Sequence, residues 1–319
     1  MTDLALHVGM SKTGTSTLQR ALFRNHSQVF YLGKYVPSKT PKGCRTEEVY
    51  QWLQPLLWDL KAEVDVDTHR QFFNSLRAEH VAQQQIPVCS WEALALSPGG
   101  LFSQRLERLQ RVCGDIKVQF TLRNPASWIT SSYLQELQGN FTKRKPQTFG
   151  RNAYIGLEDW IELHVAKRGG LGQWLNYAAN IRIASELLGR DKVAVLLFED
   201  LVADADNFYR DVANFLGIDA EQCVELARGY HYNKRLTEAD VAHMQSVQAS
   251  LPGRMRWLLS SQTARRKRMA ENSATRVSTP ARMQLDAAWV DKVADATREG
   301  HQYLSEAFQL NLRGRGYPL

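Results

Sequence analysis

The chain has 319 residues, 44% of them hydrophobic and 23% charged, the length of one large or two small domains and a composition that excludes a collagenous, low-complexity or wholly disordered protein. Lys plus Arg is 40 against 33 Asp plus Glu, and the resulting formal charge of +7 suggests anionic ligands while being too mild to demand nucleic acid. The opening MTDLALHVGM carries an acid at Asp3 and no basic flank, no apolar run approaches the ~18 to 20 residues of a membrane span, and the four cysteines at 44, 89, 113 and 223 form no metal-type pair, so a cytoplasmic protein without a transmembrane segment, disulfide framework or metal site is expected.

The first element is a β-rich apolar stretch, Leu4–Val8. It runs through Gly9-Met10-Ser11-Lys12-Thr13-Gly14-Thr15-Ser16-Thr17 into a helical pattern over Ser16–Phe23. A strand feeding a glycine-containing turn that opens a helix gathers unpaired N–H groups and the positive end of the helix dipole around one point, which makes an anion site. Gly14 lets the backbone approach the anion, Lys12 supplies a cation, and the hydroxyls of Thr13, Thr15, Ser16 and Thr17 add neutral donors. Gly9 and Gly14 have the spacing of the phosphate loop of nucleoside-triphosphate enzymes, but Thr15 stands where that pattern needs lysine.

A helical stretch from Glu47 to Ala82 follows, then a second strand, Ile86–Ser90, which ends in Ser90-Trp91-Glu92. Leu101–Cys113 is helical, and a third strand, Val118–Leu122, ends in Arg123-Asn124-Pro125. Helices are expected at Ala126–Leu137, Leu175–Leu188 and Asp206–Leu216, with a fourth strand at Val193–Phe198. Most of these strands lack polar alternation, as strands covered on both faces do, and strands alternating with helices predict a three-layer α/β/α fold with a mainly parallel sheet. From Leu236 onward strand signals nearly vanish, so residues 1–235 are expected to form the core and 236–319 a helical portion packed on it, broken at Pro252-Gly253 and around Ser278–Pro280. The basic run Arg265-Arg266-Lys267-Arg268 reads as a solvated helix face or loop, or else as a dock for a polyanionic acceptor or a membrane surface.

Glu92, Lys12 and Arg123 all fall at the carboxyl ends of strands, where doubly wound sheets bind ligands. Glu92 could serve as a base there, or could pair with Lys12 or cap the following helix. Pro125 suits a first helical turn, and Arg123 with Ser131, about two turns into that helix, makes a guanidinium–hydroxyl pair suited to a second phosphate. His7 is read as packing within the first strand, and Cys89 and Cys113 as buried thiols.

The run Lys12-Thr13-Gly14-Thr15-Ser16-Thr17 resembles the 5′-phosphosulfate-binding loop of sulfotransferases that use 3′-phosphoadenosine 5′-phosphosulfate (PAPS), and its surroundings are particularly similar to the bacterial members. Arg123, Pro125, Ser131 and Tyr133 match that family's 3′-phosphate signature, and Ser90-x-Glu92 looks like the glutamate-base arrangement of glycan-type and several bacterial members. Lys192–Leu201 and Phe215-Leu216-Gly217 are similar to the family's late strand and helix, with Glu199 structural. Over roughly residues 4–220 the resemblance implies a P-loop-like fold and in-line transfer of a sulfuryl group from PAPS to a hydroxyl, or less readily an amine, leaving PAP and requiring no metal. It implies Lys12 and Glu92 as catalytic residues, and Ser11, Lys12, Thr13, Gly14, Thr15, Ser16, Thr17, Arg123 and Ser131 as the PAPS site. The mild positive charge suits so anionic a cofactor. The acceptor, a sugar, lipid, phenol or peptide, is not encoded in any recognisable pattern, although Trp52, Trp58, Trp160 and Trp257 are available to line a pocket. The adenosine-closing Arg-Lys-Gly loop of the animal enzymes has only poor counterparts, at Arg228–Tyr232 and Asn233–Arg235. The alternatives are a P-loop-type nucleotide-dependent kinase with an atypical loop, and a non-catalytic polyanion binder using residues 265–268.

Overall fold

A computed structural model of the chain describes residues 2–36, 43–230, 236–275 and 279–319. Five parallel strands, β1 (Leu4–Gly9), β2 (Val29–Lys34), β3 (Ile86–Ser90), β4 (Ile116–Leu122) and β5 (Val193–Leu197), lie in the order β2-β3-β1-β4-β5. Four were expected; the fifth, β2, is the short β-prone run Val-Phe-Tyr-Leu just before Gly33, at one edge of the sheet. The chain places β2 at one edge, returns with β3 beside β1, and then adds β4 and β5 on the other side, so the strand order reverses at β1. In open parallel sheets, ligands bind beyond the carboxyl ends of the strands at such a reversal.

The contacts divide the chain into two compact units whose boundaries cut across the expected division at 235/236. One holds residues 1–124, 175–232 and 297–319; the other holds 125–174 and 233–296. The chain leaves the sheet after β4, returns at Leu175 to supply β5 and its helices, leaves again, and returns with the last turns of its long helix, Ala287–Phe308.

In the sheet unit every residue of β1 is buried, as a strand covered on both faces requires. One layer is the helix Ala205–Leu216, which lays Phe208, Tyr209, Val212, Ala213 and Leu216 into a cluster with Ala5, Leu22, Tyr31 and Val88. Asp204 starts this helix by accepting the Asn207 N–H. The Gly99–Cys113 helix lies against β4 on Phe102 and Phe120, ring centroids 6.1 Å apart, and packs beside Tyr177–Leu188. The second unit is helical and built on aromatics: Trp128 and Trp160 both meet Trp174 edge-on, Tyr133 meets Trp160, and the Trp257 indole donates to Phe141 O at 2.9 Å. Among the described residues no helix is long and apolar enough to cross a membrane.

A polar row crosses this apolar sheet. The register aligns Lys34 with Ser90, Ser90 with His7, and His7 with Gln119. Ser90, His7 and Gln119 are buried, and His7 Nδ1 lies 3.1 Å from Ser90 Oγ. Burial outweighs the attraction of Glu92 and lowers the His7 pKa to about 4, so the ring is neutral in the folded protein at pH 7. The unfolded chain binds this proton near pH 6.5 and the folded chain only near 4, so stability falls as pH drops through that window. The expected contribution of His7 is about 3 kcal/mol lost between pH 7 and pH 4. Urea unfolding at both values should show a smaller loss in His7→Gln than in the wild type; equal losses would assign the acid sensitivity to other groups.

Candidate active site

The strand–turn–helix element at the start of the chain is held to the end of β4. Met10 N–H donates to Thr121 O at 2.9 Å, and the buried Thr13 hydroxyl donates to Met10 O at 2.7 Å while standing 3.0 Å from Thr121 Oγ1. Gly9 permits the approach: a Cβ there would lie 2.1 Å from Thr121 Oγ1. The Thr13 hydroxyl is therefore committed to the fold and is not one of the outward donors expected of it, because its side chain turns inward where those of Ser11, Ser16 and Thr17 stay half-exposed.

Lys12 occupies the left-handed region at φ 67° and Gly14 at φ 79°. For a lysine this backbone is strained, and such strain persists only where surrounding contacts impose it. Here the Arg123 guanidinium donates from Nη1 to Lys12 O at 3.1 Å and lies over the Phe198 ring at 4.6 Å. Thr17 and Leu18 N–H both return to Gly14 O, so the N–H groups ahead of them open the helix and have no intrahelical partner. The helix itself is one α turn, Thr15–Thr17, passing into a π turn, Leu18–Leu22.

Glu92 emerges from β3 as the first residue of a 3-10 turn, Glu92–Leu96. It does not take Lys12 as its ion-pair partner: Lys34 Nζ, from the end of β2, lies 2.7 Å from Oε2, and Gln19 donates to Oε1 at 3.0 Å. Burial alone would raise the Glu92 pKa, but the Lys34 ammonium and hydrogen bonds from Lys34 and Thr15 outweigh it and hold the carboxyl below its ordinary value. Glu92 is thus a partly buried, ionised carboxylate tied on both oxygens. Trp91 N–H donates to His7 O and His7 meets Ser90, so β1 fixes the two residues before it.

The sheet unit therefore brings the lysine turn, Glu92 and Arg123 to the carboxyl ends of β1, β3 and β4. Ser131 belongs to the second unit, half-buried on the helix Pro125–Lys143, which begins at Pro125 as expected. Tyr133 is buried beside it and donates its hydroxyl to Ile155 O at 2.7 Å, which occupies the aromatic of the signature in packing. Trp52, Trp160 and Trp257 are core residues; Trp58 alone of the four expected pocket aromatics is exposed. Glu199 is structural: it accepts Asn124 N–H and the Tyr317 hydroxyl, each at 3.0 Å.

Sequence reasoning missed two contributors. Lys34 sits on the missed edge strand and faces Glu92 from 58 positions away in the chain, a pairing that only the β2–β3 register creates. The C-terminal Arg313-Gly314-Arg315-Gly316-Tyr317 returns to the ends of β4 and β5, where Gly316 O accepts from Asn124 Nδ2 at 2.6 Å and Arg315 pairs with Asp200 at 2.7 Å. Its alternation of arginine and glycine was a usable signal. Of the expected closing-loop candidates, residues 231–235 lie outside the described residues.

Among solved structures the chain is similar to the sulfotransferase from Alicyclobacillus acidocaldarius, at 19% identity over 83% of this chain and 99% of that one, with a TM-score of 0.43. It is also similar to sulfotransferase STF9 from Mycobacterium avium (12% identity, 88% and 78% covered, TM-score 0.44) and to mouse sulfotransferase SULT7A1 complexed with PAP (12%, 99% and 86%, TM-score 0.43). No curated protein matches the chain significantly. The model of the sulfotransferase family matches residues 6–222, a span that contains the lysine turn, Glu92, Arg123 and Ser131. With more than half of its length so matched, the chain belongs to the sulfotransferase family, enzymes that transfer a sulfuryl group, and not to the kinases that its near-miss phosphate loop brought into question.

Proposed function

We propose that the protein transfers the sulfuryl group of PAPS to an acceptor hydroxyl, in the cytoplasm, with Lys12 and Glu92 as its catalytic residues. The observation that carries this reading is the Arg123 bond to Lys12 O, which ties the guanidinium expected to meet the second phosphate to the lysine turn. The donor set suits a nucleotide phosphorylated at both ends of its ribose: helix-opening N–H groups and an ammonium at the turn, and a guanidinium beside them.

When bound, PAPS supplies the sulfuryl group. Residues Ser11 to Thr17 hold its 5′-phosphosulfate, with Thr13 and Thr15, whose buried hydroxyls bond within the fold, contributing through their backbone, and Arg123 and Ser131 take the 3′-phosphate. Lys12 offsets charge that grows on the bridging oxygen, and Glu92 takes the proton of the acceptor hydroxyl. With its pKa lowered by Lys34, Glu92 is fully ionised at neutral pH but a weak base; moving Lys34 away would restore its basicity. We therefore assign Lys34 as the residue that positions and tunes Glu92.

Lys12→Asn should leave the melting temperature near wild type, because Asn tolerates the left-handed backbone, while lowering PAP formation by about 100- to 1,000-fold. Turnover within a few-fold of wild type would remove Lys12 from the reaction. Glu92→Gln should lower turnover of any working acceptor by about 100-fold or more. In Lys34→Met, burial of Glu92 is no longer opposed by the ammonium, its pKa rises, and the acid limb of the kcat–pH profile should move to higher pH. An unmoved limb would show that the carboxylate titrated in the reaction is not the one paired with Lys34.

A further inference from the structure

Between Ser250 and Ala270 the chain carries six basic residues, Arg254, Arg256, Arg265, Arg266, Lys267 and Arg268, and no acidic one. This stretch accounts for +6 of the formal +7, which leaves the rest of the protein almost neutral. It folds as two helices of the second unit, Leu251–Leu259 and Gln262–Thr275.

Arg265 is internal: it donates to Thr142 O, Trp257 O and Ser260 O, fastening the start of the second helix to the end of the first. Arg256, Arg266 and Lys267 are exposed, and Arg254 and Arg268 partly so. The first helix is anchored by Trp257, 3% exposed and stacked on Phe141. Leu251, Met255 and Leu259, at successive four-residue intervals, share the opposite face and are 63%, 47% and 81% exposed. At about 100° per residue, Arg254 and Arg256 fall about 100° to either side of that apolar stripe. An apolar stripe bordered by long cationic side chains is the arrangement of a helix lying in a membrane interface, where the stems reach outward and the charges stay at the headgroups.

We propose that the Leu251–Leu259 helix, with the basic start of Gln262–Thr275, docks the enzyme on an anionic phospholipid surface. Charge complementarity selects this occupant. A second copy of the chain would set the same five surface cations against one another, and a soluble polyanion would use the cations but leave three large apolar side chains in water. The cytoplasmic leaflet offers both the negative potential and the apolar layer.

The test is co-sedimentation of the full-length protein with phosphatidylcholine vesicles, with and without about 30% phosphatidylserine. The wild type should bind the mixed vesicles and not the neutral ones. Arg266→Gln/Lys267→Gln should weaken binding by about 25-fold, at roughly fivefold per cation. Leu251→Ser/Leu259→Ser should weaken it by about tenfold or more with the melting temperature unchanged, since both side chains are already largely exposed. Failure of the wild type to bind the mixed vesicles, or wild-type affinity in the leucine variant, would overturn the proposal. So would heparin binding that only the cation variant loses, in a protein that vesicles do not retain.

Discussion

Everything at the proposed site depends on how the turn after β1 is fastened to the end of β4. Three contacts do this from three directions: the Met10 N–H on Thr121 O, the Thr13 hydroxyl between Met10 O and Thr121, and the Arg123 guanidinium on Lys12 O. Together they hold a lysine in a backbone conformation it would otherwise avoid. A loop ordered in advance loses little freedom when an anion arrives, so more of the interaction remains available for binding and catalysis. The same contacts set Arg123 and the turn as one body, so a disturbance at Thr121 reaches both.

The charge of the chain is unevenly distributed. At the strand ends, Lys34 pairs with Glu92 and keeps that carboxylate charged despite its partial burial, while Arg123 donates to Lys12 O. The net positive charge that suggested an anionic cofactor does not reside there; it is concentrated in residues 250–270. A whole-chain charge thus pointed to the right class of ligand for a reason that the distribution does not support, because outside residues 250–270 the chain is almost neutral.

Much of the frame was legible because buried parallel strands read as unbroken apolar runs: β1, β3, β4 and β5 all fall where Leu4–Val8, Ile86–Ser90, Val118–Leu122 and Val193–Phe198 predict them. The edge strand β2 was not, since four β-prone residues before a glycine look like the tail of a helix–turn segment. With β2 went Lys34, whose role arises only from its register opposite Ser90. Neighbouring threonines and serines in one turn are also alike on paper. Only packing reveals that Thr13 faces inward while Ser16 stays half-exposed, and only a contact 111 residues away ties Arg123 to Lys12. The chain crosses from one compact unit to the other repeatedly, and a composition shift at one position expresses only one of those crossings, near residue 233.

The most direct test of the account is the rise in melting temperature produced by adenosine 3′,5′-bisphosphate compared with adenosine 5′-monophosphate and with ATP plus magnesium, each at the same concentration. Ligand at about 100 times its Kd stabilises by about 2.7 kcal/mol. The account predicts a clear rise with the bisphosphate, unchanged by chelator, and little with the other two. Equal rises with all three, or a rise with ATP that needs magnesium, would contradict a site built from two anion pockets for a nucleotide phosphorylated at both ends of its ribose.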